Sequence, residues 1–249
     1  MKLAGKTALV TGASRGIGAA TAIRLAAEGA AVIVNYFKND KAAEEVVKKI
    51  TDVGGQAIAL QADARDAAEI ERMMIRGVEL FGPVDILVLN AGMPVPFKPI
   101  AEMTYDEFQT KVMGELDCFF FPVKAVIPSM IERKMGCIVG VSSGLSRHPA
   151  QNFSAHTTAK SAVDGFMKSL AQELGRFNIR ANTIAPGLTR TDATAFQPPE
   201  MFEQIGKITP LGRVGEPEDV AGMITLLAMD DARFVSGAYI PVSGGIQTP

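Results

Sequence analysis

The sequence of 249 residues contains only two cysteines, Cys118 and Cys137, and both lie in apolar surroundings without the spacing of metal ligands. We therefore expect two reduced, buried thiols and neither a disulfide nor a metal site. An excess of one charge is also lacking, because 25 Lys and Arg residues against 27 Asp and Glu residues give a formal net charge of −2. This balance offers no basic surface, and we expect neither nucleic acid nor a membrane as a partner.

Long apolar runs are absent as well. No apolar stretch reaches the ~18 residues of a membrane-spanning helix, and residues 1–6 lack the pattern of a signal peptide, so we expect a cytoplasmic protein. Linkers, repeats and low-complexity segments are lacking too, while 47% of the residues are hydrophobic. A chain of this length and composition can bury one large core, which predicts a single domain spanning residues 1–249.

Short apolar segments alternate with helix-forming segments along the whole chain. Seven of the apolar segments are nearly continuous, as expected of strands buried on both faces: 7–10, 31–34, 57–60, 86–89, 137–141, 179–184 and 238–242. The helical segments are 19–28, 40–53, 66–81, 105–135, 157–177 and 216–228. This alternation predicts an α/β protein of the Rossmann type, with a doubly wound, seven-stranded parallel sheet between two layers of helices.

Glycines cluster between the first strand segment and the first helical segment, in the stretch Thr11-Gly12-Ala13-Ser14-Arg15-Gly16-Ile17-Gly18. Gly12 permits a tight turn, and Gly16 and Gly18 let backbone N–H groups at the positive end of the helix approach a pyrophosphate. The motif predicts a dinucleotide-binding site, although a purely structural glycine turn would leave the same pattern.

Further motifs follow the later strand segments. Asn90-Ala91-Gly92 follows the fourth segment, Ser143 follows the fifth, Lys160 lies on the next helix, and Pro186-Gly187 follows the sixth. With the glycine stretch, these motifs make the chain resemble the short-chain dehydrogenase/reductase family, in particular its 3-oxoacyl-reductase-like branch, over essentially the whole sequence. The resemblance implies an oxidoreductase with a nicotinamide dinucleotide as its cofactor.

The resemblance also implies which residues contact the cofactor. They comprise the glycine turn, the end of the second strand, a pair beside the adenine, a segment beside the ribose with the helix lysine, and a segment that holds the carboxamide. In chain order they are Gly12, Ser14, Arg15, Gly16, Ile17, Gly18, Asn35, Tyr36, Lys38, Asp63, Ala64, Asn90, Ala91, Gly92, Lys160, Pro186, Gly187, Leu188 and Thr191. For Asp63 and for the later turn segments, an ordinary solvated turn remains the alternative.

The end of the second strand segment bears on the choice of cofactor. Sites for an unphosphorylated ribose carry an acidic residue about 20 positions beyond the glycines, whereas this chain has Asn35-Tyr36-Phe37-Lys38 there. With no carboxylate to repel a 2′-phosphate, and with Arg15 and Lys38 to pair with it, we expect NADP(H) to be preferred over NAD(H). The alternative is that both cations are solvated surface residues.

Two catalytic positions depart from the family. There a serine polarises the substrate carbonyl, a tyrosine transfers the proton, a lysine lowers the pKa of that tyrosine and holds the ribose, and an asparagine anchors a relay water. Ser143 and Lys160 match, but His156 stands at the tyrosine position and Glu115 at the asparagine position. Residues four apart share a helix face, so His156 and Lys160 can act together.

The chemistry of His156 is open at this stage. Lys160 would lower the pKa of the imidazole, and Glu115 would raise it. The imidazole also reaches less far than a phenol hydroxyl, by on the order of 1–2 Å, which argues for weakened chemistry. We expect a reductase of a carbonyl or imine that uses Ser143, His156, Lys160 and Glu115. The alternatives are a non-redox cyclase, dehydratase or isomerase, and a catalytically silent subunit of a mixed oligomer.

Substrate and assembly are predicted only in outline. Residues 93–97, 144–153 and 188–202 are mostly apolar, so we expect a small, moderately hydrophobic substrate. The long irregular stretch 188–210 suggests a lid over it. Apolar residues on the helices around residues 118–121 and after His156 exceed what one sheet face needs. In the family these helices pair between subunits, so we expect a homotetramer or a mixed tetramer with a homologue.

Overall fold

Seven parallel strands form one sheet in the computed structural model, which describes residues 1–247. The strands are β1 (Thr7–Val10), β2 (Ala31–Tyr36), β3 (Gln56–Gln61), β4 (Ile86–Leu89), β5 (Gly136–Val141), β6 (Ile179–Pro186) and β7 (Tyr239–Val242). Their order in the sheet is β3-β2-β1-β4-β5-β6-β7, so the order reverses between β1 and β4. This topology confirms the predicted doubly wound α/β fold. The last two residues of the predicted domain, 248 and 249, lie outside the described residues.

Helices cover both faces of the sheet. They are α1 (Gly16–Ala27), α2 (Asp40–Thr51), α3 (Ala67–Phe81), α4 (Tyr105–Arg133), α5 (Ser154–Leu174), α6 (Pro199–Ile208) and α7 (Pro217–Ala228). One apolar core is formed by α1, α2 and α7 against one face, and a second by α3, α4 and α5 against the other. The central strand β4 is buried along its whole length between them, which explains its uninterrupted apolar sequence.

Two helices begin earlier than the sequence pattern predicts, and both differences matter for the site. Helix α1 begins at Gly16 rather than at residue 19, because the first turn of a helix tolerates glycine where backbone N–H groups have no partner within the helix. Helix α5 begins at Ser154 rather than at residue 157. His156 therefore lies within the first turn of α5, one turn before Lys160.

Helix α4 carries charged residues into the interior. Its first turn is fixed by a capping box between Thr104 and Glu107, and it ends at Lys134, whose backbone is left-handed. Lys111, Glu115 and Cys118 are buried on one face of this helix, as their spacing of four and three residues requires.

Both cysteines lie in the interior of the protein. Cys118 and Cys137 are both buried and unbonded, and burial raises the pKa of the Cys118 thiol to about 12. Within residues 1–247, no helix is both long enough and apolar enough to cross a membrane. In the same part of the chain, no group of three or more His, Cys, Asp or Glu side chains is arranged to hold a metal ion.

Candidate active site

The glycine stretch forms a tight loop between β1 and α1. Gly12 and Gly16 have φ angles of +60° and +55°, a backbone region that L side chains rarely adopt. A Cβ at Gly18 would lie 2.5 Å from both the side-chain amide nitrogen of Asn90 and the carbonyl oxygen of Gly12. Gly18 is therefore needed for close packing of α1 on the loop after β4, which differs from the predicted role of admitting a pyrophosphate.

Asn90 ties the loop after β4 to the glycine loop. Its side-chain amide donates hydrogen bonds to the carbonyl oxygens of Thr11 and Gly12, each at 3.0 Å. The backbone N–H groups of Asn90 and Ala91 both donate to the hydroxyl of Thr11, also at 3.0 Å. Because β1 and β4 flank the point where the strand order reverses, these loops border the crevice in which doubly wound folds bind ligands.

Asn35 lies beneath the glycine loop. Its side-chain oxygen accepts a hydrogen bond from the Gly12 N–H at 3.1 Å, and its amide nitrogen donates to the Ala62 carbonyl at 3.0 Å. Only 1% of Asn35 is exposed. It was predicted to contact the cofactor, but its buried amide instead supports the loop, because β2 extends two residues further than predicted and brings it into the sheet.

Two cations surround the exposed ring of Phe37, just after β2. The Lys38 ammonium lies 5.1 Å from the ring centroid and the Arg65 guanidinium lies 5.7 Å from it. Arg65 also pairs with Asp63 at 2.6 Å, and this hydrogen bond lowers the pKa of the Asp63 carboxyl. Asp63, predicted beside the adenine, is thus engaged by Arg65, a cation that the sequence analysis did not single out.

Three buried charges form the centre of the site. The Glu115 carboxylate lies between two lysines, with Oε2 2.5 Å from Lys111 Nζ and Oε1 2.7 Å from Lys160 Nζ. Lys160 donates a further hydrogen bond to the Val141 carbonyl at 2.8 Å, and Lys111 donates one to the Met93 carbonyl at 2.7 Å. The structure therefore brings Glu115 and Lys160 together, as the aligned positions implied, and adds Lys111.

Two glycines make room for this cluster. A Cβ at Gly92 would lie 2.8 Å from Glu115 Oε1, and a Cβ at Gly114 would lie 2.8 Å from Cγ of Met93. Gly92, predicted beside the cofactor ribose, thus admits the Glu115 carboxylate.

The charges of Glu115 and Lys111 respond differently to burial. Burial alone would raise the pKa of Glu115, but attraction to Lys160 and Lys111 outweighs it and lowers that pKa to about 2. Burial lowers the pKa of Lys111, and the Glu115 carboxylate partly opposes this shift. Glu115 is therefore ionised near neutral pH.

His156 is buried next to this cluster. Burial, followed by repulsion from Lys160 and Lys111, lowers the pKa of its imidazole to about 3, although Glu115 opposes the shift. Its Nδ1 atom is buried without a hydrogen-bond partner among the described residues. Of the two opposing effects expected from the sequence, Lys160 outweighs Glu115 here, and the imidazole is neutral near pH 7.

Phenylalanines from three segments line the site beside His156. The ring of Phe153 lies 6.0 Å from the imidazole and 5.0 Å from the ring of Phe97, which in turn lies 5.8 Å from the ring of Phe196. These rings come from residues 93–97, 144–153 and 188–202, the three segments predicted to line the substrate site. They form an apolar wall that joins the start of α5 to the predicted lid.

Ser143 lies at the end of β5, where its side chain caps a short 3₁₀ turn. Its hydroxyl oxygen accepts a hydrogen bond from the Leu145 N–H at 3.2 Å, which leaves the hydroxyl proton for another acceptor. The side-chain amide of Gln247 packs directly against the neighbouring Gly144. A Cβ added to Gly144 would lie only 1.7–2.0 Å from the amide atoms of Gln247. The hydroxyl of Tyr239 lies 3.4 Å from the Ser143 carbonyl oxygen, behind the turn.

The segment after β6 folds over the glycine loop. A Cβ at Gly16 would touch the Thr191 side chain at 3.4 Å, and Asp192 lies 3.6 Å from the Arg15 guanidinium. The Gly187 N–H donates to the Val242 carbonyl at 3.0 Å, which fixes Pro186-Gly187-Leu188 beside β7. Helix α6 lies within the stretch 188–210, so this part of the predicted lid is helical.

Sequence reasoning missed Lys111 and Gln247. Lys111 precedes Glu115 by four residues, so the spacing of a helical ion pair was visible, but lysine is so often exposed that the pattern did not predict burial. Gly244 and Gly245, whose φ angles are +64° and +90°, turn the chain so that Gln247 reaches Gly144.

The fold and the site together define an α/β dinucleotide-binding protein with a buried lysine at its centre. A family model described as Enoyl-(Acyl carrier protein) reductase matches residues 12–247. A 3-oxoacyl-[acyl-carrier-protein] reductase of Synechocystis sp. is 40% identical over 248 residues, which cover 98% of each chain. An L-rhamnose 1-dehydrogenase (NAD(P)(+)) of Sphingomonas sp. is 38% identical over 98% of this chain and 97% of that protein.

Solved structures give the same assignment. The crystal structure of a blue fluorescent protein from a metagenomic library in complex with NADPH superposes with a TM-score of 0.90, at 34% identity and full coverage of both chains. The chain therefore belongs to the short-chain dehydrogenase/reductase family of oxidoreductases, as its motifs predicted.

Proposed function

We propose that this protein is an NADP(H)-dependent oxidoreductase that reduces a ketone or imine of a small, moderately hydrophobic substrate. The observation that carries the proposal is the buried Lys160 ammonium, held between the Val141 carbonyl at 2.8 Å and the Glu115 carboxylate at 2.7 Å. Lys160 and the serine that follows β5 are the two family positions that this chain retains, and a lysine fixed in this way is organised for a function beyond packing.

The residues present fit a nicotinamide dinucleotide. Gly12 and Gly16 adopt left-handed backbone conformations that leave the mouth of the loop without side chains, at the N-terminus of α1. Arg15, Ile17, Ala91, Gly92 and Lys160 would hold the cofactor, together with the segment from Pro186 to Thr191. When bound, the cofactor supplies the hydride that reduces the carbonyl carbon.

The cations near the loop support a preference for NADP(H). Lys38 and Arg65 lie beside the Phe37 ring, just after β2, and Arg15 lies at the start of α1. A 2′-phosphate would meet positive charge and no acidic residue at positions 35–38. Asp192 lies 3.6 Å from Arg15 and would compete with the phosphate for that side chain.

His156 acts in this proposal as a neutral hydrogen-bond donor. An imidazole whose pKa is about 3 is uncharged near pH 7, and a neutral imidazole can still polarise a carbonyl oxygen through its N–H group. The Ser143 hydroxyl proton offers a second hydrogen bond to the same oxygen. Water supplies the proton that the reduced oxygen finally needs, because a neutral imidazole is a poor acid.

The apolar wall and the engaged arginines support a hydrophobic substrate. Phe97, Phe153 and Phe196 lie around the approach to His156. Two arginines of the segments that line the site contact aromatic rings: Arg147 stacks at 3.5 Å on the Tyr239 ring, and Arg190 lies over the Phe202 ring. A ketone or imine with an apolar or aromatic body fits these surroundings better than a strongly anionic one.

Exposed apolar side chains on α4 support the proposed tetramer. Phe120 and Met113 are about half exposed. The Phe120 ring lies beside Phe121 on the same helix and Phe166 on α5. Pairing of this face with a second copy would remove apolar surface from water. Light scattering at micromolar concentration should give the mass of a tetramer, homomeric or mixed; a stable monomer would contradict this.

The ionised Glu115 argues against the non-redox alternative. A cyclase, dehydratase or isomerase that used Glu115 and His156 for proton transfer would need groups that change charge near neutral pH. Here the pKa of Glu115 is about 2 and that of His156 is about 3, so neither group does so. The silent-subunit alternative is left to experiment.

Titration and turnover test the proposal together. The protein should bind NADPH and should oxidise it when mixed with members of a panel of small hydrophobic ketones and imines. Lys160→Met should weaken NADPH binding and abolish turnover. Tight NADPH binding without turnover on any member would favour the silent subunit, and absence of binding would overturn the proposal.

A further inference from the structure

We propose that Lys111 is a positioning residue, whose ammonium group fixes the backbone after β4 against the active-site lysine on α5. The inference rests on the proposed function, since it assigns Lys111 to the same site. It names a residue that lies outside the four catalytic positions of the family pattern.

The contacts of Lys111 bracket one residue of the loop. Its Nζ atom lies 2.7 Å from the Met93 carbonyl oxygen and 2.5 Å from Glu115 Oε2. The Met93 N–H donates to the same carboxylate oxygen at 2.9 Å. The Lys111–Glu115 pair therefore holds both backbone polar groups of Met93.

The same carboxylate links this bracket to the active-site lysine. Glu115 Oε1 lies 2.7 Å from Lys160 Nζ, and Lys160 donates to the Val141 carbonyl at the end of β5. One continuous chain of charged contacts thus joins the loop after β4, helix α4, helix α5 and strand β5. Displacement of Lys111 would free the Met93 carbonyl and leave Lys160 as the one lysine paired with Glu115.

Stability alone does not account for this arrangement. Replacing a buried ion pair with apolar side chains of similar volume is often neutral or stabilising, so such pairs are weak evidence of a purely structural role. Here two lysines face one carboxylate, and the Lys111 side chain is 2% exposed, so the arrangement is more than a simple one-to-one ion pair. A positioning role explains why a second lysine is present.

The position of Met93 shows what would be positioned. Met93 directly follows Asn90-Ala91-Gly92, the segment bound to the glycine loop through Asn90. A shift of Met93 would therefore move the backbone that borders the proposed cofactor site. Misplacement by about 1 Å can cost on the order of 10²-fold in rate.

The test compares Lys111→Met with Lys48→Met. Lys48 forms a helical pair with Asp52 at the same spacing of four residues, but both side chains are exposed.

Hydrogen exchange of the free protein is measured by mass spectrometry on the peptide 90–97, and kcat and KM are measured on a substrate that the parent reduces. In Lys111→Met, exchange in 90–97 should accelerate at least tenfold while exchange in β1 and β5 is unchanged. Turnover kcat should fall ~10²-fold with KM within about threefold. Lys48→Met should match the parent.

A double variant guards against loss of folding. Lys111→Met combined with Glu115→Gln leaves one buried charge instead of three and should fold even if the single variant does not. Its exchange in 90–97 should also be at least tenfold faster than in the parent. The proposal would be overturned if Lys111→Met kept the exchange rate and kcat of the parent, or if the double variant kept the parental exchange rate. It would also be overturned if exchange accelerated evenly through the sheet. A parent that reduces no carbonyl would overturn the proposed function alone, because the exchange measurement needs neither substrate nor cofactor.

Discussion

Glu115 and Lys160 form a direct, buried ion pair, with 2.7 Å between Oε1 and Nζ. In the family, an asparagine at the position of Glu115 anchors a water in the proton relay. Here the carboxylate contacts the lysine itself, so no bridging water is needed to connect the two side chains. The ion pair holds the Lys160 side chain in place and keeps the Glu115 carboxylate ionised. Proton delivery is therefore left to other groups.

The stability of the protein should depend on Glu115 at acidic pH. Burial would raise the pKa of Glu115, but Lys160 and Lys111 lower it from 4.5 to about 2. Between these values the unfolded chain binds a proton that the folded chain does not. The contribution of Glu115 is therefore present above pH 4.5 and lost as the pH falls toward 2.

Glu115→Gln removes this dependence. The difference in the free energy of unfolding between parent and variant should shrink by about 3 kcal/mol from pH 4.5 to pH 2, as far as both remain folded. Denaturant unfolding at a series of pH values measures it. A difference that stays constant with pH would contradict the buried ion pair.

His156 should remain neutral across the physiological range. Burial and the two nearby ammonium groups lower the pKa of its imidazole to about 3. The sequence contains only two histidines, so the ring signals in an NMR titration can be assigned with a His148→Asn variant. The His156 signals should not shift between pH 5 and pH 8. Titration near pH 6.5 would show that the imidazole is solvated or paired with a carboxylate.

Cofactor preference should follow the cations after β2. NADPH should bind at least tenfold more tightly than NADH, because charge-assisted contacts to a phosphate contribute ~1.5–3 kcal/mol each. Lys38→Met should reduce that ratio by weakening NADPH and leaving NADH unchanged. Fluorescence titrations with both cofactors measure the ratio, with Lys48→Met as the control. Equal affinities of the parent for the two cofactors would refute the preference.

The sheet was predictable because its five inner strands are largely buried on both faces. Residues 86–89 and 137–141 are apolar without interruption. Where such short runs alternate with helix-forming segments, they predict buried parallel strands. The glycine loop was predictable for a similar reason, since few residues other than glycine fit its backbone angles.

The charge state of the site could not be read from the sequence. The pKa of His156 is lowered first by burial and then by Lys160 and Lys111, and Lys111 reaches the same interior from α4. Asn35 supports the loop because β2 is longer than its apolar run. Such effects depend on which side chains from different helices and strands come into contact. The local sequence pattern of a single helix or strand does not predict those contacts.

Gly18 should not tolerate a side chain. An added Cβ would lie 2.5 Å from the Asn90 amide nitrogen and the Gly12 carbonyl oxygen, so Gly18→Ala should separate the two loops and weaken NADPH binding at least tenfold. Gly222→Ala on α7 is the matched control, because its Cβ would meet nothing within 4 Å. The control should keep parental binding and gain about 0.5–1 kcal/mol in stability. Unchanged NADPH affinity in Gly18→Ala would contradict the proposed cofactor loop.

Isotope transfer tests the proposed reaction most directly. NADPH that carries deuterium at the transferable position of the nicotinamide is incubated with the protein and a ketone of the panel, and the product is analysed by mass spectrometry. We expect an alcohol with one deuterium on the former carbonyl carbon, formed by the parent and absent with Lys160→Met. His156→Ala should form it ~10²–10³-fold more slowly, because one hydrogen-bond donor to the carbonyl oxygen is lost. A parent that binds NADPH but yields no deuterated alcohol with any ketone, or a His156→Ala variant that is as fast as the parent, would contradict this account of the site.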